Sequence, residues 1–206
     1  MARKAVSADL SQYALSKKAV ARGRKAFARR ESRDLFYKVA IELIDLVRRG
    51  ATRVSLEEAL AVLLQTWNRT HYRFKPFDEA HFLAIRELLR RHRSELARSL
   101  TAPIERLDAG RKDRIVACFQ AFETVLGPVG AAKTLHLLAP GFFPLWDRAI
   151  ATHYGVSLGS AGSNGERYWR FMDICRYQSS GLSRGTHDRL KAIDEYNYCR
   201  YTKRWI

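Results

Sequence analysis

With 206 residues, 47% of them hydrophobic, the chain has enough material for one ordinary core or for two small helical lobes that share a cleft. Lys and Arg number 37 against 21 Asp and Glu, a net charge of +16, so polyanions such as DNA or RNA are the expected partners. Its 3 cysteines, Cys118, Cys175 and Cys199, are too few and too scattered for a disulfide framework or a metal ligand set, and no apolar run approaches the ~18 residues that span a bilayer.

Residues 1–33 carry ten basic side chains, from Arg3 and Lys4 to Arg33, against only Asp9 and Glu31. Their apolar residues (Leu10, Tyr13, Leu15, Val20, Phe27) are sparse, which predicts a basic N-terminal arm that folds as weak helix or orders on a phosphate backbone. Residues 34–206 are then the helical domain. Phe36, Val39, Ala40, Leu43, Ile44 and Val47 recur at helical spacing up to Gly50. Ser55 and Glu58 form a capping box ahead of a second helix that runs through Trp67 toward Tyr72. A third helix is predicted from Asp78 through Leu96, with Arg86, Arg90, Arg91, Arg93 and Arg98 along its outer face.

Asp113 is placed to cap a fourth helix, which Gly127-Pro128 stops. A short helix follows from Gly130 to Leu138, and Pro144 sits where a first-turn proline would open another that closes at Gly155. Gly159 to Gly165 is a low-complexity loop, and helices over about 166–179 and 186–203 complete the chain. No alternating pattern suggests a strand, so the fold class is all-α, in one compact domain or two lobes. Tyr196, Tyr198, Tyr201 and Trp205, interleaved with Arg200, Lys203 and Arg204, offer a stacking or backbone-contact surface, and packing of the last helix explains them nearly as well.

The distinctive segment is Gly130 to Asp147 with the turn before it. In Leu126-Gly127-Pro128-Val129-Gly130-Ala131-Ala132-Lys133, a glycine turn joins two helices and small residues follow. Amides at such a helix start can approach a phosphate closely, which makes Gly127, Val129, Gly130 and Ala131 candidate phosphate contacts. A helix stop followed by tight helix packing reads the same residues structurally. His71, His81 and His92 have no metal-ligand spacing, and neither a nucleophile elbow nor a Walker loop is present; no metal or cofactor is expected.

Leu126 to Gly130, Lys133 and the aspartate of Phe143-Pro144-Leu145-Trp146-Asp147 together resemble the hairpin, lysine and aspartate of the helix-hairpin-helix DNA glycosylases, the endonuclease III-like and 8-oxoguanine glycosylases. The likeness covers about thirty residues. Here proline and glycine are exchanged in the hairpin, Lys133 stands third after Gly130 rather than second, and no four-cysteine cluster follows. Leu63-Leu64-Gln65-Thr66-Trp67-Asn68 is similar to the family segment that fills the gap left by an everted base.

The resemblance implies a base-excision enzyme acting on lesion-containing duplex DNA, with an oxidised purine as first substrate. Asp147 would be its electrostatic catalyst and Lys133 a nucleophile that adds AP-lyase activity. Gln65 or Asn68 would fill the gap, His136, Phe142, Phe143 and Trp146 would line the base pocket, and Arg90 and Arg91 would contact the backbone. A monomeric, cytoplasmic protein is expected, nucleoid-associated in a prokaryote, without membrane contact. Two readings from other classes are a non-catalytic nucleic-acid binder that uses the hairpin and arm for phosphates, and an interaction protein whose arm binds RNA or a partner.

Overall fold

The computed structural model describes residues 9–182 and 189–206, without the side chains of 69 and 70. The fold is all-α. Its helices are α1 (Lys17–Arg30), α2 (Asp34–Arg48), α3 (Leu56–Trp67), α4 (Arg69–Tyr72), α5 (Glu79–Arg91), α6 (Arg93–Leu100), α7 (Lys112–Leu138), α8 (Arg148–His153), α9 (Gly165–Ser180) and α10 (Arg189–Asn197). A π-helical turn, Tyr198–Thr202, extends α10, and no strand occurs among the described residues.

Local sequence accounts for several boundaries. Ser55 Oγ accepts from the Glu58 amide at 3.2 Å while Glu58 Oε2 accepts from the Ser55 amide at 2.7 Å, so the capping box of α3 is complete. Asp78 caps α5 through the His81 amide at 2.8 Å. The third predicted helix is instead two, because the chain leaves helical geometry at His92 (φ −99°, ψ 12°). α7 starts at Lys112, with Asp113 in its first turn rather than at its cap. Val39, expected inside, is 56% exposed.

α7 is the centre of the bundle, and Ile115, Phe119, Phe122, Leu126, Leu135 and Leu138 on it are buried. The stretch Ala109–Leu138 passes for a membrane span by length and composition, which amends the expectation that no such run exists. Gly127, at φ +71° and ψ 165°, breaks it into two helices, and only a residue without Cβ adopts that backbone cheaply. The broken ends are tied down, Asn68 donating to the Leu126 carbonyl at 3.4 Å and Trp146 Nε1 to the Pro128 carbonyl at 3.1 Å, while Arg48 donates to the Leu138 carbonyl at the far end of α7.

The N-terminal segment is helical, one of its two expected states, but it packs more closely on the bundle than its sparse apolar residues suggest. Arg3 and Lys4 lie outside the described residues, but from Lys17 the chain is a helix packed on α10, with Val20 and Phe27 buried. Few apolar residues suffice because Gly23 lets the backbones meet; a Cβ there would stand 2.6 Å from Tyr196 Cα.

A correction concerns residues 139–146. They form no helix; α8 begins after Asp147, whose Oδ1 accepts from the Ile150 amide at 2.9 Å as its N-cap. Phe142, Phe143, Leu145 and Trp146 are all buried, and a segment that sends that many successive apolar side chains into the core cannot hold one helical face. Tyr168, stacked on Phe119 at 4.0 Å, anchors the segment by donating to the Pro144 carbonyl at 2.7 Å.

Candidate active site

Lys133 and Asp147 reach one cleft. It consists of two adjoining cavities, of about 990 Å³ and 600 Å³, and both are lined by Trp67, Val129, Lys133, Asp147 and Thr202. The second half of α7 supplies Lys133, the cap of α8 supplies Asp147, and the π turn supplies Thr202. Asp147 is held at both oxygens, Oδ1 by the Ile150 amide and Oδ2 by the Thr202 hydroxyl at 2.6 Å. Two donors fix its carboxylate plane against the cleft, a pre-organisation that would cost nothing at the moment of reaction.

The Lys133 ammonium donates to the Trp67 carbonyl at 2.5 Å and lies 5.1 Å from the centre of the Trp67 ring. Burial and the nearby Arg33 guanidinium pull its pKa down from 10.5 to about 8, against the opposing pull of Asp194 and Asp147. About a tenth of the amine is therefore neutral at pH 7, far more than for a solvated lysine.

The two sides of the cleft differ in character. The larger cavity meets the hairpin turn at Gly127, Val129 and Gly130, then Arg148, Arg200 and Arg204, with Asp147 as its one carboxylate among the described residues. The smaller cavity is walled by Phe27, Phe36, Tyr37, Trp67, Trp146 and Tyr198. It also holds Glu31, Asp34 and Asp194 beside Arg33, Lys191 and Lys203. There Lys191 Nζ lies 3.4 Å from Asp34 Oδ1 and 3.8 Å from Asp194 Oδ2, above the rings of Phe27 and Tyr37 at 4.2 and 4.6 Å. Burial drives the Asp194 carboxyl up to about 7, with Lys191 pulling it the other way. The carboxyl lines this cavity and can hold or give up a proton near neutral pH.

Of the residues singled out from sequence, Gly127, Val129, Gly130, Asn68, Lys133 and Asp147 line the larger cavity, and Gln65 and Trp146 the smaller. A Cβ on Gly130 would meet Asn68 Nδ2 at 2.6 Å, so this glycine serves close packing of α3 on the hairpin as well. Ala131 is fully buried and reaches neither cavity. Arg90 and Arg91 sit far along α5 on exposed ion pairs to Glu87 and line neither cavity.

The expected base pocket is corrected in the same way. Phe142 and Phe143 are core residues. His136 is also fully buried: its Nδ1 pairs with the Phe143 carbonyl at 2.7 Å and its Nε2 with the Tyr37 hydroxyl at 3.1 Å, and burial pushes its pKa down to about 4. It is a neutral structural histidine. In place of these residues the cleft presents Tyr37, Asp194, Lys191, Thr202 and Arg148, which sequence reasoning passed over. Lys191, Asp194 and Glu195 are spaced like the solvated ion pairs of an exposed helix face, and only the packing of α10 on α1 and α2 turns that face inward.

Comparison with family models, with curated proteins and with solved structures finds no match for the chain.

Proposed function

We propose that the protein is a base-excision glycosylase that receives an everted nucleotide in the cleft between α3, α7, α8 and α10. The observation that carries this reading is the pairing, on one cleft wall, of a lysine with its pKa lowered to about 8 and a carboxylate fixed at both oxygens. Neutral Lys133 attacks the sugar C1′ as the bond from C1′ to the base nitrogen breaks and its electron pair leaves with the base. Asp147 stabilises the positive charge that develops on the sugar. Asp194, in the aromatic cavity, gives a proton to the departing base. The added amine then loses its proton and the sugar ring opens to a Schiff base, from which elimination of the 3′-phosphate cleaves the strand. An oxidised purine remains the first substrate to try, on the resemblance alone.

The aromatic cavity, at about 600 Å³, has room for a purine. Flipping a base out costs a few kcal/mol, and stacking on Tyr37, Trp67 or Tyr198 offsets it. The test uses duplexes that each carry one lesion, oxidised purines first, with base release followed by chromatography and covalent capture by borohydride. Release with capture, and loss of capture in Lys133→Ala, is the expected result. Salt-steep binding with no release from any lesion would leave a non-catalytic binder and sink the enzyme reading.

A further inference from the structure

The C-terminal turn carries a feature that the chemistry above does not use. His153 and Tyr201 stack at 3.6 Å with their planes 16° apart, and both line the larger cavity. The His153 ring is exposed on the surface of the protein. Burial and the neighbouring Arg200 lower its pKa from 6.5, so the ring is neutral at pH 7.5 and stacks without a charge of its own.

Around this pair stand Arg148, Arg200 and Arg204, all exposed and all lining the same cavity. Neither Arg148 nor Arg204 forms an ion pair with a carboxylate of the described residues. Arg200 between them donates to the Ile206 main-chain oxygen at 2.8 Å, which fixes its place on the rim. The turn is built to hold this arrangement. Its π-helical backbone places Tyr201 over His153, and Arg204 takes a left-handed backbone at φ +54°, which a non-glycine residue adopts only when its surroundings impose it.

We propose that this rim is a seat for a single-stranded phosphodiester: Arg148 and Arg204 hold phosphates of the strand, and an unpaired base stacks on the exposed face of His153. Two unpaired guanidinium groups beside an aromatic face are what a flexible polyanion with planar bases recognises, and stacking on every base's π-face needs no sequence. The proposal rests on the reading of the cleft as a nucleic-acid site, since it places the strand on the basic side and the everted nucleotide across Lys133 and Asp147. It does not require that any base be removed.

The test measures fluorescence anisotropy of the full chain at pH 7.5 with labelled 12-nucleotide probes: undamaged single-stranded DNA, single-stranded RNA and blunt duplex DNA, and an abasic strand of tetrahydrofuran residues, which lack the C1′ aldehyde that an amine attacks. Arg148→Ala combined with Arg204→Ala is expected to weaken single-strand binding at low salt and to flatten the slope of log K against log salt by about 1.4, at ~0.7 per phosphate. His153→Ala should weaken binding of the base-bearing strand about tenfold, with Phe at that position restoring it, and should leave the abasic strand and the blunt duplex unaffected. Equal loss on DNA and RNA identifies the shared strand chemistry, and loss on one alone identifies the sugar read.

Unchanged affinity and slope in the arginine variant, or a His153→Ala effect as large on the abasic strand as on the base-bearing one, would overturn the seat. Because no probe offers a damaged base to release or an aldehyde to capture, failure of this proposal shows in binding, whereas failure of the glycosylase reading shows in base release.

Discussion

Replacing Lys133 with methionine removes the charge from the cleft while keeping the volume of the stem, and the stability of that variant depends on pH in a way set by the lysine's pKa. Lowering an amine from 10.5 to about 8 corresponds to about 3.4 kcal/mol at ~1.36 kcal/mol per pH unit. The unfolded chain holds the proton up to its ordinary value, so from pH 8 to 10.5 the unfolded state binds more protons than the folded one and stability rises with pH. Below pH 8 the folded protein carries the full cost of the buried charge, and above 10.5 it carries none. Methionine removes that cost, but it also loses the bond to the Trp67 carbonyl, worth about 1 kcal/mol. The variant should therefore be about 2 kcal/mol more stable than the parent at pH 7 and about 1 kcal/mol less stable near pH 10.5. Urea unfolding of both proteins at matched pH values reads the difference. A difference that stays constant between pH 7 and 10 would refute the account of Lys133 as a buried, electrostatically burdened amine.

Gly127→Ala is expected to destabilise the protein by about 1–3 kcal/mol in the same unfolding assay, because it forces a side chain onto a backbone near φ +71° and brings a Cβ to 3.2 Å from His71 Nδ1. Thr202→Val removes the hydroxyl that holds Asp147 Oδ2; base release should fall about tenfold, with Ser at that position recovering most of it. Asp194 must hold a proton to give one to the departing base, and its protonated form disappears as pH rises through about 7. Lys133 must be neutral at the same time, so single-turnover release should peak between about pH 7 and 8 and decline above about 8, and Asp194→Asn should lower the peak rate and flatten that alkaline limb.

Helices with a strong local signal were legible from sequence because one short stretch holds the whole cause. The Ser55–Glu58 box and the helix start at Asp78 each need only four consecutive residues, and both form as expected. The break at His92 and the loop over 139–146 were not, since proline at 144 and an apolar run are as compatible with a helix start as with a buried loop until the core decides between them. The packing of the N-terminal helix is not legible for a related reason: its apolar residues are few, and the close approach at Gly23 depends on Tyr196, more than 170 residues away.

The site divides along the same line. Lys133 and Asp147 lie within fifteen residues of each other around one turn, and a local pattern pointed to both. Tyr37, Asp194 and Thr202 come from three separate parts of the chain, and the charge pattern of α10 looks like ordinary surface until α1 and α2 cover it. His136, Phe142 and Phe143 drew attention as aromatic neighbours of the hairpin, but the same apolar character that suggested a pocket places them in the core.

The claim on which the account depends is that the Lys133 amine reacts with the sugar of an everted nucleotide. Its most direct measurement is peptide mapping by mass spectrometry of the protein captured by borohydride on a duplex bearing one oxidised purine. The account predicts a single modified peptide, with the reduced sugar fragment on Lys133 Nζ. A fragment on Lys191, Lys203 or the N-terminal amine would contradict it, as would base release that leaves no covalent product on the chain.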